Sequence, residues 1–224
     1  MGKITALKPA VKTENRVNVF IDDKFSFSLD LTQVVDFSLK VGRTLAPAEI
    51  EKLKCASTFG KLYTSILEWV LTRPHSVKET RDYLHRKLFR RLTLNKKRER
   101  ENLSPFELFS EADIESVIKK LTEKNYLNDE KFAKFYVENR NLKKGISVRR
   151  LREELRKKGI VPEIINSVLK SSPRNPEIEI EKIIQKKQTK YKTPEKLLAY
   201  LLRQGFPYDL VKSKVDELNL PSQL

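Results

Sequence analysis

A gapless internal repeat constrains this chain more than any other feature. Residues 147–164 align without insertion on residues 193–210. Each copy begins with a hydroxyl residue, has apolar residues four apart, and then has a glycine, Gly159 or Gly205. A hydroxyl N-cap, apolar residues at helical spacing and a glycine that stops the helix in a left-handed conformation together define one helix with both of its ends. The chain therefore contains tandem helical modules.

A third, weaker copy starts at Ser76, where Glu79 completes a capping box. It lacks the stop glycine, and Thr80 and Leu84 stand at its core positions. Apolar spacing predicts two further helices around each copy, at 59–71 and 112–123, at 129–143 and 162–170, and at 176–190 and 207–218. The fold class is therefore mainly α, with tandem three-helix modules in an elongated arrangement, straight or curved, because units of this size need neighbours.

The N-terminal region has a different periodicity. Phe25, Phe27 and Leu29 alternate with serines, so they predict a strand with one apolar face, paired through a turn at 22–24 with a strand at 17–21. A strand at about 4–7 completes a three-stranded meander, and short helices follow at about 31–39 and from residue 46. The predicted domains are 1–55 with the strands, 56–127 with a basic insertion at about 89–110, 128–172 and 173–224. The link at 171–176 is a candidate hinge, since it contains two prolines.

The chain has a large positive excess, with 46 lysines and arginines against 30 acidic residues and a net charge of +16. This excess indicates a polyanionic partner. A cationic helix on a membrane surface is the competing interpretation. Such a helix needs an apolar face that core packing does not use, and no predicted helix has one to spare. With one cysteine, no signal-peptide pattern and no apolar run near the roughly 20 residues of a membrane span, we expect a cytoplasmic protein that is not bound to a membrane.

Positive charge is concentrated in residues 140–158. On a helix that buries Leu151 and Leu155, the arginines at positions 149, 152 and 156 form one polar stripe. The candidate residues for binding nucleic acid or another polyanion are Arg140, Lys143, Lys144, Arg149, Arg150, Arg152, Arg156, Lys157 and Lys158. A secondary basic patch lies in the insertion and comprises Arg90, Arg91, Lys96, Lys97 and Arg98.

Two alternatives to a binding role stay open. Charge runs are usually ordinary solvated faces, although the excess recurs here, again at 182–196 with Lys186, Lys187, Lys190 and Lys192. Tyrosines at helical spacing are candidates for stacking on bases, but half-buried packing is the favoured interpretation. These residues are Tyr126, Tyr136, Tyr200 and Tyr208.

The sequence gives little support for a catalytic role. Cys55, His75 and His85 are the only cysteine and histidines, and their spacing matches no catalytic or zinc-binding pattern. The glycines stand singly rather than in a phosphate-binding loop. We therefore expect no enzyme activity, no catalytic residue, no cofactor and no metal.

Several segments resemble the RecX family. The most specific is the run 125–133, Asn-Tyr-Leu-Asn-Asp-Glu-Lys-Phe-Ala, followed by Lys144-Gly145 and the basic helix that ends at Gly159. The family has a similar run, with glycine in place of Asn125 and aspartate in place of Asn128. Residues 71–76, 202–209 and 42–45 add further matches. The resemblance covers nearly the whole chain.

The resemblance implies a regulator of the RecA recombinase in recombination and DNA repair. It implies binding along the groove of the RecA nucleoprotein filament and limitation of its ATP hydrolysis and strand exchange. Single- or double-stranded DNA is a further candidate partner, and a monomer is favoured because no long heptad seam is present. The alternative is a free-standing helical protein that binds DNA or RNA, with its three-helix units acting as helix-turn-helix readers.

Overall fold

The N-terminal residues form a four-stranded antiparallel sheet in the computed structural model, which describes residues 1–11, 13, 15–187, 189–191 and 193–218. The strands are β1 (Gly2–Pro9), β2 (Arg16–Ile21), β3 (Lys24–Asp30) and β4 (Thr44–Leu45), in the order β3-β2-β1-β4. Asp22 and Asp23 join β2 to β3 with φ of 47° and 62°, the left-handed values of a tight hairpin turn. The predicted strands and hairpin are confirmed. The two-residue β4, too short for a periodic signal, adds a fourth strand.

Phe25 corrects one sequence prediction. Phe27 and Leu29 are buried, whereas Phe25 is 57% exposed. The ladder pairs Val19 with Phe27 but Phe20 with Phe25, so a register shift interrupts the alternation. The expectation of one continuous apolar face from Phe25 to Leu29 is therefore wrong at its first residue.

Two helices follow the hairpin, α1 (Leu31–Asp36) and α2 (Pro47–Leu71). Asp30 caps α1 by accepting from the Gln33 backbone N–H at 2.7 Å. Pro47 occupies the first turn of α2, where its missing N–H costs nothing. α2 continues through the boundary expected near residue 55, so the predicted short helix and the predicted helix at 59–71 form one helix.

The remaining helices lie close to the predicted positions. They are α3 (Val77–Arg100), α4 (Glu111–Glu123), α5 (Asp129–Asn139), α6 (Val148–Lys157), α7 (Pro162–Lys170), α8 (Pro176–Lys187), α9 (Pro194–Arg203) and α10 (Tyr208–Asp216). The first part of the basic insertion, through Arg100, continues α3. The predicted helix at 176–190 extends past the end of α8, and Gln188 lies outside the described residues.

Residues pack into two compact units. The first comprises 1–73 and 81–126, and the second comprises 74–80 and the chain from residue 127 onward. In the first unit the sheet packs on α2 around Ile4, Val19, Leu29 and Leu53. Trp69 stacks on Tyr83 with ring centroids 4.3 Å apart, and this pair adds an aromatic contact to the packing of the unit.

The second unit contains two apolar clusters, one for each copy of the repeat. Leu151 and Leu155 of α6 are buried in the first cluster, and Leu197 and Leu201 of α9 in the second. Burying each such side chain contributes about 1.5–3 kcal/mol. The leucines that the internal alignment pairs are thus buried at equivalent places in the two modules.

Candidate nucleic-acid interface

The basic stripe of α6 faces solvent. Leu151 and Leu155 turn one face of this helix to the core, so Arg149 and Arg156 project from the other and are exposed. Arg152 is half-buried and donates to the Asn166 side-chain oxygen. Periodicity therefore located the stripe correctly, and its binding role is a prediction.

Glu154 lies between two of the predicted arginines. Arg140 donates to both carboxylate oxygens of Glu154, from Nε at 2.7 Å and from Nη2 at 3.1 Å, and Arg150 Nε lies 3.6 Å from Oε1. The hydrogen bond from Arg140 holds the pKa of Glu154 below its ordinary value and raises that of Arg140. The Tyr136 hydroxyl also donates to Glu154, at 2.7 Å. Burial, followed by this bond, raises the pKa of Tyr136 to about 12.

Not all predicted cations are equally available. Lys158 Nζ lies 2.8 Å from Glu79 Oε1, and Arg149 Nε lies 3.3 Å from Glu153 Oε1. Within the described part of the chain, four of the predicted residues have side chains that make neither an ion pair nor a hydrogen bond, namely Lys143, Lys144, Arg156 and Lys157. These four can meet an anion without first leaving another partner.

A cavity of about 500 Å³, which we call the junction cavity, lies between the second and third modules, inside the second unit. The second module contributes Arg140, Asn141, Lys144, Gly145 and Arg150, and the third contributes Ile183, Lys186, Lys187, Tyr200 and Gln204. No acidic residue of the described chain lines it. The two lysines of α8 were visible in the sequence only as part of another basic run, and Lys192 of that run lies outside the described residues.

The loop before α6 is held tightly against α8 beside this cavity. Gly145 has φ of +74°, and an added β-carbon would collide with the Glu179 backbone oxygen. Glu179 is buried, and its carboxylate accepts from the Ile146 backbone N–H at 2.9 Å. Arg174 Nη1 and Lys182 Nζ lie 2.9 and 2.8 Å from the same carboxylate. These contacts fix the loop before α6 to α8, so the two walls of the cavity are held together.

Arg174 also fixes the link between α7 and α8. Its Nε donates to the Val137 backbone oxygen at 2.6 Å, and its Nη2 donates to the Arg140 backbone oxygen. A buried arginine bound to α5 and to α8 argues against the hinge expected at this link.

The secondary basic patch divides into two groups. Arg91 donates to the Glu107 backbone oxygen at 2.7 Å, and Arg98 donates to that of Ser104 at 2.6 Å. The Arg98 guanidinium also lies 4.6 Å from the centre of the Phe106 ring. These two arginines hold segment 102–109 against α3, whereas the remaining three, Arg90, Lys96 and Lys97, are solvent-facing.

Catalytic and metal-binding candidates are not brought together. Among the described residues no group of three or more His, Cys, Asp or Glu side chains could hold a metal ion. His75 Nδ1 lies 3.2 Å from Glu79, His85 Nε2 lies 2.5 Å from Glu111, and Cys55 is exposed. No helix in the described part of the chain has the length and apolar character to span a membrane.

Tandem three-helix modules after a small antiparallel sheet, with a cationic second module, define a class of helical-repeat protein. Two family profiles match the chain, "Regulatory protein RecX N-terminal domain" over residues 2–46 and "RecX, second three-helix domain" over residues 128–169. The chain belongs to the RecX family.

Relatives and solved structures agree with this assignment. The chain is 30% identical to regulatory protein RecX of Listeria monocytogenes serovar 1/2a, over 96% of this chain and 75% of that one. It is 30% identical to RecX of Bacillus subtilis, over 97% of this chain and 78% of that one. A crystal structure of regulatory protein RecX superposes with a TM-score of 0.68 at 22% identity, covering 97% of this chain and 100% of the other. At this sequence identity, the superposition on the crystal structure shows a shared fold and nothing further.

Proposed function

We propose that this chain is a non-enzymatic regulator that binds the RecA–DNA filament and limits its ATP hydrolysis and strand exchange. Membership of a family of regulatory proteins supports a regulatory role. The observation that carries the proposal is the exposed basic face of α6, which adjoins the junction cavity with its cationic lining. Such a surface attracts the phosphates of a nucleoprotein filament or an acidic protein face.

The alternative is a free-standing reader of duplex sequence. Such a reader needs a helix rich in base-reading side chains that are free to enter a groove. α7 offers Asn166, but its side-chain oxygen already accepts from Arg152, and its neighbours are Glu163 and Ser167. The helix that would act as reader therefore has few groups for direct readout.

RecA-dependent ATP hydrolysis on single-stranded DNA, with the chain titrated in at substoichiometric amounts, tests the proposal. We expect inhibition by the unaltered chain and its loss in the triple variant R149E/R152E/R156E. The matched control is K170E/K196E/K212E, which changes three exposed lysines of the second and third modules by the same total charge. Circular dichroism checks that both variants keep their helix content.

Either of two results contradicts the proposal. One is the absence of any effect of the unaltered chain on ATP hydrolysis at every ratio. The other is equal inhibition by the two triple variants, which would remove α6 from the contact. Tight, sequence-selective duplex binding without RecA would instead favour the free-standing reader.

A further inference from the structure

We propose that the junction cavity is a binding site for a phosphate group, supplied by the backbone of single-stranded nucleic acid. The inference rests on the proposed function, because a filament presents such a backbone. It goes further, because it names a site that joins two modules rather than a charged helix face.

Charge is the first argument. Five cationic side chains line the cavity, Arg140, Lys144, Arg150, Lys186 and Lys187, and no described acidic residue lines it. Glu154 pairs with only two of these five, Arg140 and Arg150. Lys144 and Lys187 make no ion pair within the described ranges, and Lys186 Nζ donates to the Lys143 backbone oxygen. Clustered like charges repel, and an anion between them removes this repulsion.

Geometry is the second argument. The lysines come from two elements, Lys144 from the loop after α5 and Lys187 from the end of α8. The Gly145 contact and the Glu179 ion pairs hold this loop and α8 together. The backbone segments that carry the cations are therefore held together before an anion binds, and binding has to order only the lysine side chains.

Size and shape decide which phosphate source fits. A volume of about 500 Å³ lies within the range of small-ligand sites and admits one nucleotide unit, but not a duplex. Tyr200 forms part of the wall, and its ring stacks on Tyr191 with centroids 4.8 Å apart. A stacked aromatic ring beside cations suits an unpaired base next to its phosphate. Single-stranded backbone is thus the favoured source.

The test uses the full chain without RecA. Fluorescence anisotropy with 5′-labelled oligothymidylate is measured across a salt series for the unaltered chain and for K144A/K187A. The matched control, K170A/K212A, removes the same charge from exposed positions of the same two modules. We expect affinity to fall about tenfold in K144A/K187A, and the slope of log affinity against log salt to become shallower by about 0.7 for each phosphate that is no longer neutralised. The control should change affinity less than about twofold.

A second arm separates backbone phosphate from free phosphate. Amide NMR spectra of the chain are recorded with oligothymidylate and, separately, with inorganic pyrophosphate. Early shifts at Gly145 and Asn141 with oligothymidylate support the site. Stronger binding of pyrophosphate than of oligothymidylate at these amides overturns the nucleic-acid source. No shift with either probe, or an equal fall in affinity in both double variants, overturns the site itself.

The outcomes separate this inference from the proposed function. If R149E/R152E/R156E loses inhibition of RecA while the cavity amides do not respond, only the cavity assignment fails. If the cavity binds oligothymidylate while the unaltered chain has no effect on RecA, the proposed function fails and the phosphate site stands.

Discussion

The Ser147 hydroxyl donates a hydrogen bond to the Gln204 backbone oxygen at 2.5 Å, joining the start of α6 to the end of α9. The same bond occurs one repeat earlier, where the Ser76 hydroxyl at the start of α3 donates to the Lys158 oxygen at 2.9 Å. In each case the next residue after the acceptor is the stop glycine. The serine that caps one helix thus also satisfies an unpaired carbonyl at the end of another.

The stop glycine of the first copy should resist substitution for two separate reasons. Gly159 and Gly42 both have left-handed φ, of +83° and +91°. A β-carbon at Gly159 would lie 2.7 Å from Lys78 Cβ, whereas at Gly42 nothing lies within 4 Å. We expect G42A to lower the free energy of unfolding by about 1 kcal/mol, the conformational cost alone, and G159A by about 2–3 kcal/mol. Urea denaturation measures both, and equal destabilisation would contradict the packing role of Gly159.

Loss of Arg174 from its buried ion pair with Glu179 should destabilise the second unit more than loss of Lys182, the other partner of the same carboxylate. The side chains of Arg174 and Glu179 are 8% and 5% exposed. Removing Arg174 leaves a buried carboxylate with less compensation, so we expect R174A to cost about 3 kcal/mol. K182A removes a partner that is 30% exposed and should cost less than about 1 kcal/mol. Thermal or urea unfolding compares the two variants, and a smaller effect of R174A than of K182A would refute the assignment.

Replacement of Glu154 should affect stability and affinity in opposite directions. E154Q weakens the bonds with Arg140 and Arg150, so we expect a decrease in unfolding free energy of about 1 kcal/mol at pH 7. Because the pKa of Glu154 is lowered by folding, its contribution is complete above the ordinary value of 4.5 and is lost as pH falls through the folded-state pKa. The difference between E154Q and the unaltered chain should therefore shrink at low pH.

The same variant should bind oligothymidylate about fivefold more tightly, because a negative charge beside two cavity arginines is removed. E153Q is the matched control, since Glu153 is 53% exposed and contacts Arg149 instead. Anisotropy titrations measure both variants. Weaker binding by E154Q than by E153Q would show that Glu154 positions the arginines rather than competing with the ligand.

Segment 102–109 should open locally when Asn95 is replaced. Asn95 Nδ2 donates to the Phe106 backbone oxygen at 2.9 Å, and its Oδ1 accepts from the Phe106 N–H at 2.7 Å. N95A removes both bonds, so we expect amide hydrogen exchange in this segment to accelerate about tenfold with little change in global stability. K96A, at the adjacent exposed position, is the control. Unchanged exchange in N95A would mean that Arg91 and Arg98 hold the segment without it.

Local periodicity predicted the helices and most of their buried residues. Leu151 and Leu155 were identifiable because their spacing and the glycine at 159 follow from the geometry of one helix. The exposure of Phe25 was not predictable, because the register shift that causes it depends on the partner strand. The convergence of Lys144 with Lys187 was also hidden, since it depends on how two modules pack. For the same reason, nothing in the basic insertion distinguished Arg91, which binds a backbone oxygen, from cations that face solvent.

Glu154 has a consequence for exchange kinetics. Its carboxylate occupies the donor groups of Arg140 that a phosphate would otherwise use. An arriving phosphate that engages this arginine has to displace a resident anion, and the departing phosphate is replaced at once by the same carboxylate. If the junction cavity binds phosphate as proposed, we expect this internal competitor to shorten the residence time of each bound phosphate, so that each contact with a polyanionic chain is brief and readily renewed.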